Sequence, residues 1–472
     1  RYAEALMRVQ DDYLRERAVD VKDVTRRILR NLSGGSSVSL AQLSTPHILV
    51  ANDLAPSEAA ILDRTKILGF ATDLGSPTSH TAIMARALGI PAVVGLHDIS
   101  VRVSSGEQLL IDGSTGVAVM HPSREELERY GKVEAARRGI LSELELLKDE
   151  AAETRDGYSV ALSCNIELPG DVEMVKKFGG SGVGLFRTEY LYLAQKGLPS
   201  EEEQTEIYER VAADVAPAPL VIRTLDLGGD KFLSQLKTPE EINPFMGWRA
   251  IRFCLAQPDI FKTQLRAILR ASRHENVKIM YPMISNLDEV LKANAFLEEC
   301  KVELRGKGVA FNEKIDVGIM IEVPGAALTA HLLAPHVNFF SLGTNDLVQY
   351  TLAVDRVNER IAYLYEPTHP AILRLIKNTI DVGHEHGIWT GICGEMAGNP
   401  LLVPLLIGLG VDEFSVSPSS VPVVKDVIRK LRYSQAEELA DLVMASGSGT
   451  DVMDRCRDLI KEVAPEILEL VS

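Results

Sequence analysis

The sequence is short of several things, and each shortage excludes a class of protein. Cysteine is scarce: the 472 residues contain five. They stand far apart at Cys164, Cys254, Cys300, Cys393 and Cys456, form no CxxC pair, and indicate neither a disulfide scaffold nor a zinc ribbon. Thiols so placed are expected to be reduced, which points to the cytoplasm. Basic charge is in deficit, with 50 Lys plus Arg against 66 Asp plus Glu, so the formal net charge of −16 has the wrong sign for a general polyanion binder. Nucleic acid is not an expected partner. The longest apolar stretch, near 401–411, is broken by Pro404 and too short to span a bilayer, and no signal-peptide layout stands upstream, so no membrane insertion is expected. No P-loop is visible. The tract GGSGVG at 179–184 precedes a strand-like run and fails the GxGxxG spacing, so it reads as a turn.

What is present is ordinary globular composition: 46% hydrophobic and 25% charged residues, with 35 Gly and 22 Pro. At about 150 residues per domain the length suggests about three domains. Residues 1–35 read as one charged helix with apolar Leu6, Val9, Val21, Val24, Ile28 and Leu32, stopped by Gly34-Gly35. Residues 36–121 alternate β-rich runs (HILVAN, KILGFAT, PAVVG, EQLLIDG, GVAVM) with helix-favouring SEAAILD and SHTAIMARALG, a small α/β unit. Residues 122–156 are charged and helical, a connecting helix or hinge. Residues 157–472 carry eight short β-branched runs: VALSCNI, GVGLFRT, PLVIRTLD, VKIMYPM, DVGIMIEV, VNFFSLGT, IWTGICG and DEFSVS. Continuous hydrophobic strands alternating with helices imply a parallel sheet under helices, and eight of them imply a closed (β/α)8 TIM barrel. An open doubly wound sheet is the alternative, disfavoured because no Gly-rich turn follows the first strand.

In such a barrel the chemistry gathers where strands end. The second strand ends at Arg187, the third at Arg223, the fifth at Glu322, the sixth runs into Asn345 and Asp346, and the seventh reaches Cys393. Glu322 and Asp346 are too few for an all-protein cage but suit Mg2+, which keeps sites for water and substrate oxygens. Arg187, Arg223, Arg249 and Arg356 beside a divalent cation imply a small, multiply anionic ligand. Cys393, between two glycines in GICGE, reads equally as a buried core thiol or as a proton donor at the rim.

Remote from the barrel, GSPTSHTAIMARALGIPAVVG at 75–95 leads through a Gly-Ser-Pro turn to His80 at the start of a helix. Backbone N–H groups there favour an anion, so His80 reads either as a helix cap or as a nucleophile whose phosphorylated ring the helix would hold. His384 and His386, two apart, fall on different helix faces and suggest no metal pair.

Taken together, these motifs resemble enzyme I of the bacterial phosphoenolpyruvate-dependent sugar phosphotransferase system. TSHTAIMARALGIPAVVG is similar to its phosphohistidine signature, and GVGLFRTEYLY, VIRTLDLGGDK, NPFMGWRAIR, GIMIEVPGAA, SLGTNDLVQYTLAVDR and GICGEMAGNP resemble its barrel motifs in order. The resemblance implies a swivelling phosphohistidine domain at 36–121, a linker helix at 122–156 and a phosphoenolpyruvate-binding barrel at 157–472, with 1–35 a helical remnant of an HPr-binding domain. It implies that His80 takes the phosphoryl group, that Arg187, Arg223, Arg249, Asn345, Asp346 and Arg356 bind substrate, and that Glu322 and Asp346 hold Mg2+. Cys393 would protonate the enolate as pyruvate forms, and phosphate would pass to the carrier protein HPr. A homodimer through the barrel is also implied. Ser76-Pro77 and Val357 depart from the usual pattern. The chain opens at Arg1 inside a helix-like stretch, so an N-terminally truncated chain that binds phosphoenolpyruvate but transfers poorly to HPr is expected. The rival readings are a fragment of pyruvate phosphate dikinase or phosphoenolpyruvate synthase, which need a nucleotide-binding domain, and a non-catalytic phosphoenolpyruvate-sensing protein.

Overall fold

Alternation of apolar side chains decides the layers of this fold. The computed structural model describes residues 45–53, 66–75, 85, 90–113, 115–193, 197–228, 243–356, 358 and 360–471. The expected helical remnant at 1–35, and the SEAAILD and SHTAIMARALG stretches almost entirely, lie outside the described residues. The chain forms two units, Arg1–Ser123 and Arg124–Ser472.

In the first unit β1 (His47–Ala51), β2 (Ile67–Thr72) and β3 (Ala92–Val93) form a parallel sheet, and β4 (Leu109–Asp112) pairs antiparallel with β5 (Val117–Met120). All five β-rich runs read from the sequence are strands. Asp73, just after β2, accepts hydrogen bonds from the Ser100 backbone N–H at 2.8 Å and from Asn52 Nδ2 at 3.0 Å, tying the end of β2 to helix Ile99–Arg102 and to the end of β1.

The second unit is the barrel. Its strands are β6 (Ala161–Ile166), β7 (Val183–Phe186), β8 (Leu220–Arg223), β9 (Val277–Tyr281), β10 (Val317–Ile321), β11 (Phe339–Leu342), β12 (Trp389–Ile392) and β13 (Glu413–Val416). They close in sequence order, β13 pairing with β6, and every pairing is parallel. Each of the eight runs became one strand, so the closed barrel holds and the open sheet does not. Along β9, Ile279 and Tyr281 join the large core under the outer helices, while Met280 joins Leu185, Val221, Met320, Phe339 and Cys393 in a separate inner cluster. That is the two-residue period of a strand buried on both faces. Helices such as Pro258–Ala271, which buries Phe261, Leu265, Ile268 and Leu269, and Pro370–Glu385, which buries Ile372, Leu373, Ile376 and Ile380, cover the outside. The segment after helix Arg124–Glu145 is strapped to the barrel, because Lys425 Nζ donates to the carbonyls of Lys148 at 2.7 Å and Gly179 at 2.9 Å.

The lumen is only partly apolar. Near the N-terminal ends of the strands the Phe339 and Trp389 rings stack at 4.4 Å, and Lys278 Nζ lies 5.4 Å from the Trp389 ring. Gly318 makes room for this stack: a Cβ there would stand 2.3 Å from the Phe339 ring. Glu413 is buried in the same layer and accepts a hydrogen bond from Ser163 Oγ at 2.6 Å. Burial pushes its carboxyl above the ordinary range against the opposing pull of Ser163 and Lys278.

A carboxyl that holds its proton more tightly folded than unfolded contributes stability at low pH that is lost as pH rises through its folded pKa. Glu413→Gln keeps the acceptor for Ser163 and removes the ionisation. Urea unfolding should therefore show the variant gaining on the parent as pH rises from 5 to 8, by roughly 1–3 kcal/mol at the upper end. Parallel curves for the two proteins would show that Glu413 ionises freely.

Candidate functional site

The C-terminal ends of the strands open into a cavity of 490 Å3, lined by residues that follow β6, β7, β8, β10, β11 and β12. Its wall includes Arg187, Arg223, Arg249, Arg356, Glu322, Asn345, Asp346 and Cys393. The structure thus brings together every barrel residue singled out from sequence. His80 lies outside the described residues.

Local backbone geometry explains how the side chains reach the cavity. Arg187 leaves β7 in register, its N–H donating to the Ile166 carbonyl at 3.0 Å. Arg249 sits on an isolated bridge to Gly228, and the next residue, Ala250, has φ 53, a left-handed conformation that a side chain adopts only under strain. Met283, with φ 56, does the same beside Glu322 and donates its N–H to Glu322 Oε1 at 2.6 Å. Asn345 and Asp346 belong to the first turn of helix Thr344–Leu352, whose leading N–H groups have no acceptor within the helix. Asn345 Oδ1 also accepts the Glu395 N–H at 2.9 Å.

Charge is packed densely here. Asp226, 5% exposed, bridges two arginines: Arg223 Nη1 meets Oδ2 at 3.0 Å and Arg249 Nη2 meets Oδ1 at 2.7 Å. Arg223 Nη2 also reaches Glu189 at 3.0 Å, and Arg249 Nη2 reaches Asp346 at 3.5 Å. Burial opposes the charge on Asp226, but Arg223 and Arg249 outweigh it and hold the carboxyl below its ordinary range. Burial likewise opposes Arg223, which Glu189 and Asp226 nonetheless keep firmly protonated. Arg223 Nε is buried with no hydrogen-bond partner.

Burial raises Glu189 against the pull of Arg223, and Glu322 and Asp346 are raised too. Burial and then the charge of Asp346 push Glu322 up to about 8. Asp346 is also raised, by burial and by Asp226, against the pull of Arg249. Two carboxyls that resist ionising beside each other are a donor set that a divalent cation would relieve. Among the described residues no group of three or more His, Cys, Asp or Glu could hold a metal, so a cation on this pair would complete its shell with water or substrate oxygens.

Cys393 is 4% exposed; its Sγ accepts from Ser341 Oγ at 3.4 Å and donates to the Leu342 carbonyl at 3.6 Å. Burial pushes the thiol up to about 11, so it is neutral at pH 7. It is both a core thiol and part of the cavity wall, and the two readings of the sequence are not exclusive.

Sequence reasoning missed the acidic partners Glu167, Glu189, Asp226 and Glu395. Three had a signal. Glu167 directly follows the first strand, Glu189 stands two residues beyond Arg187, and Asp226 three beyond Arg223. Reading only the last residue of each strand passed over them.

Residues 142–433 match the PEP-binding domain of PEP-utilising enzymes, and residues 43–116 match the mobile domain of the same enzymes. The chain is 46% identical over 94% of its length, and 78% of the relative's, to the phosphoenolpyruvate-protein phosphotransferase of Listeria innocua. It is 46% identical to the protein of that name from Geobacillus stearothermophilus, covering 94% of this chain and 77% of the relative. With that from Staphylococcus carnosus it shares 43% identity over 96% of this chain and 79% of the relative.

Breaking a buried ion pair from one side strands the remaining charge, at a loss of about 3–5 kcal/mol. Asp226→Asn should therefore lower barrel stability by that order in urea unfolding. A loss below about 1 kcal/mol would mean that Arg223 and Arg249 are held by something else.

Proposed function

Because this chain belongs to the phosphoenolpyruvate-utilising enzymes and is a phosphotransferase like its curated relatives, we propose that it transfers the phosphoryl group of phosphoenolpyruvate to His80 and then to the carrier protein HPr. Pyruvate is released, in the first step of phosphotransferase-system sugar uptake. The observation that carries this reading is the convergence of four arginines, Asn345, two destabilised carboxylates and a neutral thiol on one cavity at the C-terminal rim.

Phosphoenolpyruvate carries a phosphate and a carboxylate, and Arg187, Arg223, Arg249 and Arg356 bind and orient them with Asn345 and the first-turn N–H groups of Asp346 and its neighbours. Glu322 and Asp346 hold Mg2+, which supplies charge neutralisation at the transferring phosphate when bound. The imidazole of His80 forms a bond to phosphorus as the bond to the enol oxygen breaks, so positioning and charge neutralisation do most of the work. The enolate left behind takes a proton at its methylene carbon from Cys393 Sγ, giving pyruvate. A thiol held near pH 11 keeps that proton until such an acceptor forms.

His80 belongs to the first unit and the rim to the second, so the reading needs a swivelling domain whose hinge lies upstream of the strapped residues around Lys148. The cytoplasm is supported by five cysteines that are all free and buried. Among the described residues no helix is long and apolar enough to cross a membrane. The same reading carries a homodimer through the barrel.

Incubation with labelled phosphoenolpyruvate and Mg2+ should label the wild type and leave His80→Ala unlabelled. Cys393→Ala should still take up label while forming pyruvate about 100- to 10,000-fold more slowly. Label that persists on His80→Ala would overturn the reading.

A further inference from the structure

Each of the four cavity arginines holds a carboxylate, and the partnerships fall into two kinds. Arg223 and Arg249 share Asp226, with Glu189 completing the group, and none of these side chains is more than 15% exposed. Those carboxylates cannot leave without stranding a buried cation, so they orient the guanidinium groups permanently. Arg187 and Arg356 stand nearer solvent. Arg187 Nη1 donates to Glu167 Oε1 at 2.5 Å, and Arg356 Nη1 to Glu395 Oε1 at 3.3 Å; the two glutamates are 58% and 62% exposed.

We propose that Glu167 and Glu395 are internal competitors for the substrate. They engage Arg187 and Arg356 in the free enzyme, yield them to phosphoenolpyruvate, and take them back as product leaves. This rests on the functional reading above, in which those arginines bind phosphoenolpyruvate.

The charge on the wall motivates the idea. Five carboxyl groups and four arginines line the cavity, and Glu395 stands beside Arg356 at its rim, so the arginines are not bare cations waiting for an anion. An incoming phosphate or carboxylate must either displace the rim glutamates or sit beside them. Both oppose binding. Displacement is mild because an exposed carboxylate regains its hydration on release, and an exposed ion pair is worth only about 0.2–1 kcal/mol. The same weakness helps at the end of the cycle. Pyruvate keeps one carboxylate where the substrate had a carboxylate and a phosphate, so one anion fewer holds the arginines and the glutamates return. The rim pairs are therefore set for exchange, and the buried pairs for position.

The two roles give opposite signs. A positioning carboxylate, once neutralised, weakens substrate binding; a competing one strengthens it. Glu167→Gln, Glu395→Gln and the double variant, isosteric changes at exposed positions, are each made in a His80→Ala chain, which cannot consume phosphoenolpyruvate and serves as the wild-type reference for binding; they are titrated calorimetrically with phosphoenolpyruvate in the presence of Mg2+, and release is followed by stopped-flow. Each single variant should bind about 2- to 5-fold more tightly, the double variant by about the product, with correspondingly slower release. Equal or weaker binding by the variants, with a wild type that binds normally, would overturn this inference and leave the functional reading standing. A wild type that does not bind phosphoenolpyruvate would overturn both.

Discussion

The site depends on one carboxylate placed between two arginines. Bare guanidinium groups as close as Arg223 and Arg249 would repel across a low-dielectric wall; Asp226 turns that repulsion into a bridge. Glu189 extends it, accepting both from Arg223 and from the Asp226 backbone N–H at 3.2 Å. Two side chains that would otherwise avoid each other thus point into one cavity, and the strained backbone at Ala250 is held by the same group. The left-handed turn is sustained because the ion pairs on one side and the Ala250 N–H to the Leu227 carbonyl at 3.1 Å on the other fix it.

A second polar assembly runs through the lumen and meets the first at Cys393. Ser415 Oγ donates to Asn165 Oδ1 at 2.8 Å, and Asn165 Nδ2 donates to the Cys393 carbonyl at 3.0 Å. Gly184 keeps space for this chain, since a Cβ there would stand 2.6 Å from Ser415 Oγ. The barrel interior therefore fixes the Cys393 backbone from below while Ser341 contacts its sulfur. Burial does the rest: a thiol in the inner apolar cluster with Leu185 and Met320 has little stabilisation for a thiolate.

How far the sequence discloses this arrangement varies with the range of the forces involved. The eight strands were legible because both faces of a barrel strand are buried, so most are nearly continuous apolar runs such as VGLF or VGIMI. The basic and acidic residues at strand ends were legible for the same reason, being polar groups at fixed offsets from unmistakable strands. The partnerships were not. Asp226 and Glu189 are close to their arginines along the chain, but Glu395 meets Arg356 across 39 residues and Arg249 meets Asp346 across two strands. No periodicity encodes such pairings, which exist only after the barrel closes. The strain at Ala250 and Met283 was equally silent, because neither residue type advertises a left-handed backbone.

The charge distribution explains why the cavity suits an ionic ligand better than a neutral one of the same size. Asp226 and Glu189 orient Arg223 and Arg249, and the Asp226 charge still reaches Glu322 and Asp346 and raises both. Burial keeps Glu322 and Asp346 from ionising readily even with Arg249 beside Asp346, and that resistance is free energy that a bound cation would recover. A bound cation would offset part of the carboxylate charge and leave the arginines freer to hold an anion. An anion then meets the cation and the arginines together, whereas a neutral ligand meets neither. Cation and anion should consequently favour each other's binding, which follows from the carboxylates and arginines sharing one wall.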